Sequence, residues 1–156
     1  MDTAYKTTLE LDKVLARAVQ LCACQETKEM MQALEPAPTV EDERYDLAQT
    51  NAINALLIKN GSPRFGSVHE VRRIVAHARK GGILSMGELL EIAATLRNFS
   101  GLSQWYGLSE HEMLPTDDLF FSLAPQPVLE KQISESILSP EEMADTASVT
   151  LHDPVS

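Results

Sequence analysis

The sequence predicts an all-α protein built as an irregular bundle of several helices. Three observations support this prediction: apolar residues recur at spacings of three and four, capping patterns precede these stretches, and glycine or proline follows them. Aromatic residues make up 5% of the 156 residues, whereas apolar residues make up 44%, so the core must be mainly aliphatic. Such a core suits helix-on-helix packing. No stretch shows the sustained alternation of a β-strand.

The first two helices are marked by a start signal and a stop signal. Thr7 and Glu10 match a capping box, in which a hydroxyl and a carboxylate satisfy free backbone N–H groups. Residues 11–22 then carry apolar side chains along one predicted buried face. A short second helix follows and ends before Pro36.

Three further helices are predicted by the same signals. The third begins at Thr39 and ends near Gly61. The fourth is predicted to start with a capping box at 67–70 and to end at Gly81-Gly82. A capping box at 85–88 opens the fifth.

The chain becomes less regular after Gly101, because glycine and proline recur there. Short helices are predicted at 102–106, 118–123 and 128–133. Residues 1–133 are therefore expected to form one helical core domain. Residues 134–156 are polar and acidic, and are expected to form a partly ordered C-terminal tail.

The charge and the cysteines restrict the class of protein. The formal net charge is −10, which repels phosphate and argues against autonomous nucleic-acid binding. Cys22 and Cys24 lack the spacing of a redox or zinc motif, so buried free thiols are expected. No signal peptide and no apolar run of roughly 18 residues is seen, so a cytoplasmic protein without membrane contact is expected.

Catalytic motifs are absent from the sequence. The glycine-rich stretches at 61–66 and 80–82 do not follow a predicted strand, and neither matches a phosphate-binding loop. His69 and His77 would lie about 12 Å apart on a helix, too far to share a metal ion. We therefore predict no catalytic, cofactor-binding or metal-binding residue, and expect that the chain alone is not an enzyme.

One segment has the opposite charge to the rest of the chain. Six of the 13 Lys and Arg residues lie in residues 59–80, which contain a single acid, Glu70. One interpretation is an exposed face that pairs with the acidic C-terminal half. The other is a contact surface for nucleic acid or an acidic partner, with at most weak, salt-sensitive nucleic-acid binding. The candidate contact residues are Lys59, Arg64, Arg72, Arg73, Arg79 and Lys80.

Helical geometry predicts how this positive surface is arranged. At 100° per residue, Arg72 and Arg79 fall on nearly the same line along the helix. Arg73 lies further round, and Lys80 is predicted to continue its line. The result would be a broad, solvated positive strip.

Several segments resemble the N-terminal region of the MutS-II family. They are the stretch from Thr8 to Val14, the Leu34-Glu-Pro36 turn, the stretch from Gly81 to Arg97, and the stretch from Glu142 to Ser148 with Leu151. The Gly81–Arg97 stretch is the most specific of them. Residues 152–156 depart from the family, because Pro154 stands where the family continues as a basic helix.

The resemblance implies a helical bundle like the core domain of MutS proteins. Members of that family are dimeric ATP-hydrolysing proteins with a DNA-contacting clamp and usually a C-terminal Smr nuclease domain. The resemblance also implies that the mismatch-reading domain, which the mismatch-repair paralogues carry at their N-terminus, is missing. Family members are linked to suppression of recombination and, in some cases, to the rescue of stalled ribosomes. No ATP-binding, magnesium-binding or nuclease residue of the family has a matching position here, so these cofactors are expected only in the full-length family.

Two hypotheses of function remain open at this point. The first is a non-catalytic core segment that transmits nucleotide state between the ATPase and the clamp. Its partners would be the remaining core, clamp and ATPase domains, and the assembly would be a homo-oligomer. The alternative is a stand-alone helical protein-interaction module.

Overall fold

The computed structural model describes residues 9–64, 66–139 and 142–143, and it confirms the all-α class. Two short strands, β1 (Ile137–Ser139) and β2 (Glu142–Met143), pair antiparallel after the last helix. No helix within these ranges combines the length and hydropathy needed to traverse a lipid bilayer. The helices are α1 (Leu11–Leu21), α2 (Gln25–Gln32), α3 (Val40–Asn60), α4 (Arg72–Arg79), α5 (Met86–Tyr106), α6 (Asp117–Phe121) and α7 (Pro127–Ser136).

The chain divides into two units, Met1–Glu43 and Arg44–Ser156. In the first unit, α1 and α2 pack against each other, but neither helix contains a fully buried residue. Cys22 and Cys24 are free and half-buried, so the expectation of buried thiols was wrong in degree. The Cys22 thiol donates a weak hydrogen bond to the Ala18 carbonyl one turn earlier, with sulfur and oxygen 3.4 Å apart.

The predicted capping box of α1 is wrong. The helix begins at Leu11, so Glu10 is its cap residue and not the third residue of the helix. Glu10 takes a left-handed conformation with φ 57°, and its carboxylate pairs with the Lys13 ammonium at 2.6 Å. Thr7 lies outside the described residues.

The predicted start and end of α3 are confirmed. The Thr39 hydroxyl accepts the Asp42 backbone N–H at 3.1 Å, as an N-cap does. At the other end, Gly61 follows the last helical residue with φ 73°, a left-handed conformation that favours glycine.

The start of α4 differs from the prediction. A capping box at Ser67 would begin the helix about one turn earlier, but it begins at Arg72 without a side-chain cap. The Asn98 side chain on α5 accepts the Gly66 N–H at 2.8 Å and donates to the Ser67 carbonyl at 2.9 Å. These tertiary bonds occupy the backbone groups of the segment that precedes α4, which a sequence pattern cannot reveal.

The end of α4 follows the prediction. The Gly82 N–H donates to the His77 carbonyl at 3.1 Å, and the Gly81 N–H donates to the Ala78 carbonyl at 2.9 Å. This bond pair is the Schellman motif, and Gly81 holds the left-handed φ of 81° that it requires.

Helix α5 begins as predicted but continues further than expected. Its capping box is confirmed, with the Ser85 hydroxyl accepting the Glu88 N–H and the Glu88 carboxylate accepting the Ser85 N–H. The helix then runs through Gly101 to Tyr106, because its last turn contributes the buried side chains Trp105 and Tyr106. Tertiary burial outweighs the modest helix penalty of one glycine.

The second unit is centred on α5. Helices α6 and α7 pack against it, and Arg97 forms an ion pair with Glu130 of α7. Helix α7 ends at Ser136, beyond residue 133, where the sequence placed the end of the core domain. The division of the chain into a core domain and a tail stays a prediction. Among the residues of this unit that the structure describes, the buried apolar side chains are Leu56, Ile74, Ala93, Trp105, Tyr106 and Ile137.

Two glycine-to-alanine substitutions should shift stability in opposite directions. Gly81→Ala should lower the free energy of unfolding by about 1 kcal/mol, because its left-handed φ strains any L side chain. Gly101→Ala should raise it by about 0.5–1 kcal/mol, because the glycine lies inside α5 with open space around an added Cβ. Urea unfolding measures both values, and a stabilising Gly81→Ala would contradict the motif described.

Candidate functional site

The six sequence-predicted contact residues are exposed but do not form one surface. Lys59 lies in the last turn of α3, and its ammonium donates to the Glu110 carbonyl at 3.3 Å. That contact directs Lys59 towards the segment after α5. Arg64 lies in the segment between α3 and α4. The remaining four residues, Arg72, Arg73, Arg79 and Lys80, lie on α4 or at its C-cap.

Three of these cations share one side of α4. Arg72, Arg79 and Lys80 line a shallow open groove, and Val75 and Ala76 form its apolar floor. Val75 is 43% exposed, so an apolar strip lies open among the three charges. We call this surface the α4 groove.

Arg73 faces the other side of the same helix. It lines a second depression together with the acidic residues Glu70, Glu88 and Glu91 and with His77. The positive charge on this side therefore lies among carboxylates. Here the acids come from α5 and from the segment before α4, not from the C-terminal half.

One carboxylate on this acidic side, that of Glu88, belongs to the capping box of α5, and this position lowers its pKa. The pKa of Glu88 is lowered by the hydrogen bond from the Ser85 backbone N–H, then by the Ser85 side chain and by His77. A lowered pKa keeps this carboxylate ionised well below neutral pH.

The predicted line from Arg73 to Lys80 does not bring these two side chains to one surface. Lys80 is the C-cap residue of α4, and its side chain lines the α4 groove with Arg72 and Arg79, whereas Arg73 lines the other depression. Whether this surface binds nucleic acid or another partner stays a prediction.

A second feature, which the sequence patterns did not reveal, is a hydrogen-bonded junction at the end of α5. Tyr106 is 3% exposed, and its hydroxyl donates to Asp117 Oδ1 at 2.6 Å. The fully buried Thr116 hydroxyl lies 2.8 Å from the Tyr106 hydroxyl oxygen and donates to it, because the Tyr106 hydrogen is already donated to Asp117. Asp117 Oδ2 accepts the Leu114 N–H at 3.2 Å. We call this network the Tyr106 junction.

The Tyr106 junction is structural and does not have the electrostatics of an acid–base pair. Burial, followed by the hydrogen bond to Asp117, raises the pKa of Tyr106 to about 12. The same bond is the main reason that the pKa of Asp117 is lowered. At neutral pH the phenol stays protonated and the carboxylate stays charged, so neither group is poised to exchange a proton.

Aromatic packing and backbone bonds extend the junction to α3 and α6. Phe120 stacks on Tyr106 with ring centroids 3.9 Å apart. The Trp105 indole N–H donates to the Gly61 carbonyl at 2.8 Å, and Asn60 donates to the Trp105 carbonyl at 3.2 Å. A Trp-Tyr pair in a sequence with few aromatic residues was the one local signal for this site.

The described residues show no grouping of three or more His, Cys, Asp or Glu side chains that could hold a metal ion. The fold and the two surfaces described above define an all-α protein segment built around α5.

Comparisons with known proteins then identify its relatives. The sequence is 31% identical over 153 residues to endonuclease MutS2 of Ruminiclostridium cellulolyticum, covering 97% of this chain and 19% of that protein. It is 30% identical over 149 residues to endonuclease MutS2 of Acetivibrio thermocellus, covering 92% and 18%. For endonuclease MutS2 of Clostridium beijerinckii, the identity is 29% over 145 residues, again covering 92% and 18%.

The resemblance to the MutS-II family is thereby confirmed: nearly the whole chain is homologous to a segment of proteins named endonuclease MutS2. The chain spans less than a fifth of the length of these relatives. No protein-family profile matches the sequence. No solved structure matches it.

Removing the Tyr106 hydroxyl should destabilise the second unit. Tyr106→Phe leaves the fully buried Thr116 hydroxyl without its acceptor, and should lower the free energy of unfolding by about 1–3 kcal/mol near neutral pH. Tyr45→Phe is the matched control, because the 50% exposed Tyr45 donates to the Pro115 carbonyl and water can replace that bond. Equal losses in the two variants, measured by urea unfolding, would contradict a special role for the junction.

The same comparison should depend on pH. The pKa of Asp117 in the folded chain lies below its ordinary value of 3.8, so its stabilisation is present above that pH and is lost as the pH falls through the folded value. Because the Tyr106 hydroxyl is the main cause, the difference between the native chain and Tyr106→Phe should shrink below pH 3.8.

Proposed function

We propose that this chain acts as a non-catalytic helical core segment of a larger MutS-II-like protein. The observation that carries the proposal is the pattern of coverage, since 97% of the chain matches 19% of a relative. The endonuclease activity in the names of the relatives would then belong to the whole protein. ATP hydrolysis with magnesium, DNA contact and a cytoplasmic location are likewise proposed for the full-length protein.

Exposed apolar side chains of the second unit support this role. Ile83 is 93% exposed, Met113 is 92% exposed and Ile58 is 79% exposed. Covering a large aliphatic side chain stabilises a contact by about 1.5–3 kcal/mol, so such residues favour burial by a partner. In the proposed assembly they contact the remaining core, clamp and ATPase domains.

The mechanical part of the proposal rests on α5. A 21-residue helix is about 30 Å long, and its C-terminal turn is fixed to α3 and α6 by the Tyr106 junction. A rigid helix with a fixed end can transmit displacement between domains. We propose that it relays nucleotide state between the ATPase and the clamp of a homo-oligomer that acts on recombining DNA or on stalled ribosomes.

Assembly in trans tests the proposal. The Ruminiclostridium cellulolyticum relative would be produced without the segment that matches this chain, and the two proteins would be mixed. Co-elution in size-exclusion chromatography is expected, because the chain should occupy the vacated contacts. The relative's own segment, added in trans, is the positive control.

A double variant sharpens this experiment. Ile83→Ser with Met113→Ser removes two exposed apolar side chains without touching the buried residues, and should weaken assembly at least about tenfold. Binding of the relative's own segment but not of this chain would contradict the proposal and favour a stand-alone interaction module. Unchanged assembly by the double variant would refute the proposed contact.

A further inference from the structure

We infer that the α4 groove is a docking surface for an acidic, helical segment of a protein. The inference does not depend on the proposed function, because it rests on the charges and the floor of the groove itself. Arg72, Arg79 and Lys80 provide the charges, and Val75 with Ala76 provides the apolar floor.

The spacing of the cations fits a helical partner. Arg72 and Arg79 are seven residues apart, which is two turns and about 10 Å along the axis of α4. Carboxylates two turns apart on a partner helix span the same distance. An apolar side chain between them would lie against Val75, which is 43% exposed.

The surroundings of the groove disfavour a nucleic acid as the occupant. Glu70, Glu88 and Glu91 line the depression on the Arg73 side of this short helix, next to the groove and not inside it. A duplex carries one negative charge per roughly 1.7 Å and extends past three cations, so it meets these carboxylates and the net charge of −10. A short acidic segment ends before it reaches them.

The apolar floor points to the same occupant. A phosphate backbone makes no use of exposed valine and alanine side chains, whereas an amphipathic helix buries them. The partner that fits is therefore a protein helix that carries carboxylates on both sides of an apolar residue.

The test uses a fluorescein-labelled helical peptide with glutamates two turns apart and a leucine between them. Fluorescence anisotropy with the full chain should show saturable binding that weakens as salt increases. The same peptide with glutamine in place of glutamate should bind more weakly. A labelled DNA duplex, measured in the same way, tests nucleic acid as the alternative occupant and should bind more weakly than the glutamate peptide.

Two matched variants locate the contact. Arg79→Gln with Lys80→Gln should weaken peptide binding about tenfold, since each exposed ion pair contributes a factor of a few. Arg73→Gln removes a charge from the same helix on its acidic side and should change binding by less than about twofold. Val75→Ser, which leaves every charge in place, should also weaken binding.

Three results would overturn the inference. They are the absence of saturable peptide binding, equal losses in Arg73→Gln and the Arg79 and Lys80 double variant, and tighter binding of the duplex than of the peptide. The third result would assign the α4 groove to nucleic acid.

Discussion

The burial of two adjacent aromatic residues at the end of α5 constrains the second unit more than any other feature. Trp105 and Tyr106 are 6% and 3% exposed, and each has a polar atom that needs a partner once it is buried. The indole finds the Gly61 carbonyl, and the phenol finds Thr116 and Asp117. Satisfying these groups fixes the end of α3 and the start of α6 relative to α5.

This constraint explains features that local patterns did not. A glycine inside a helix usually weakens it, and Gly101 was expected to begin an irregular segment. Helix α5 passes through it because the turn beyond Gly101 supplies the buried aromatic pair. Likewise, the Ser67 start signal is not used, because Asn98 on α5 occupies the Gly66 N–H and the Ser67 carbonyl.

The elements that the sequence predicted correctly share one property, which is that all their interactions are local. The Thr39 cap, the Ser85 capping box and the Gly81 Schellman motif each involve residues within five positions. The candidate contact residues were found as a charge cluster, but their division between two sides of α4 was not. That division depends on which surface the Lys80 side chain lines and on which carboxylates of α5 face Arg73, and neither is a local property.

The two units differ in their internal packing, because, among the described residues, only the second unit has fully buried side chains in its helices. This difference gives the most direct test of the role of the Tyr106 junction. If the Tyr106 junction organises the second unit, the backbone amides of Tyr106 and its neighbours in α5 should exchange with deuterium only on global unfolding. Amides of α1 and α2, which have no fully buried residue, should exchange by local opening at lower free energy. Native-state hydrogen exchange gives both values. Equal protection of α1 and the end of α5, or weaker protection of α5, would contradict the central role of the junction.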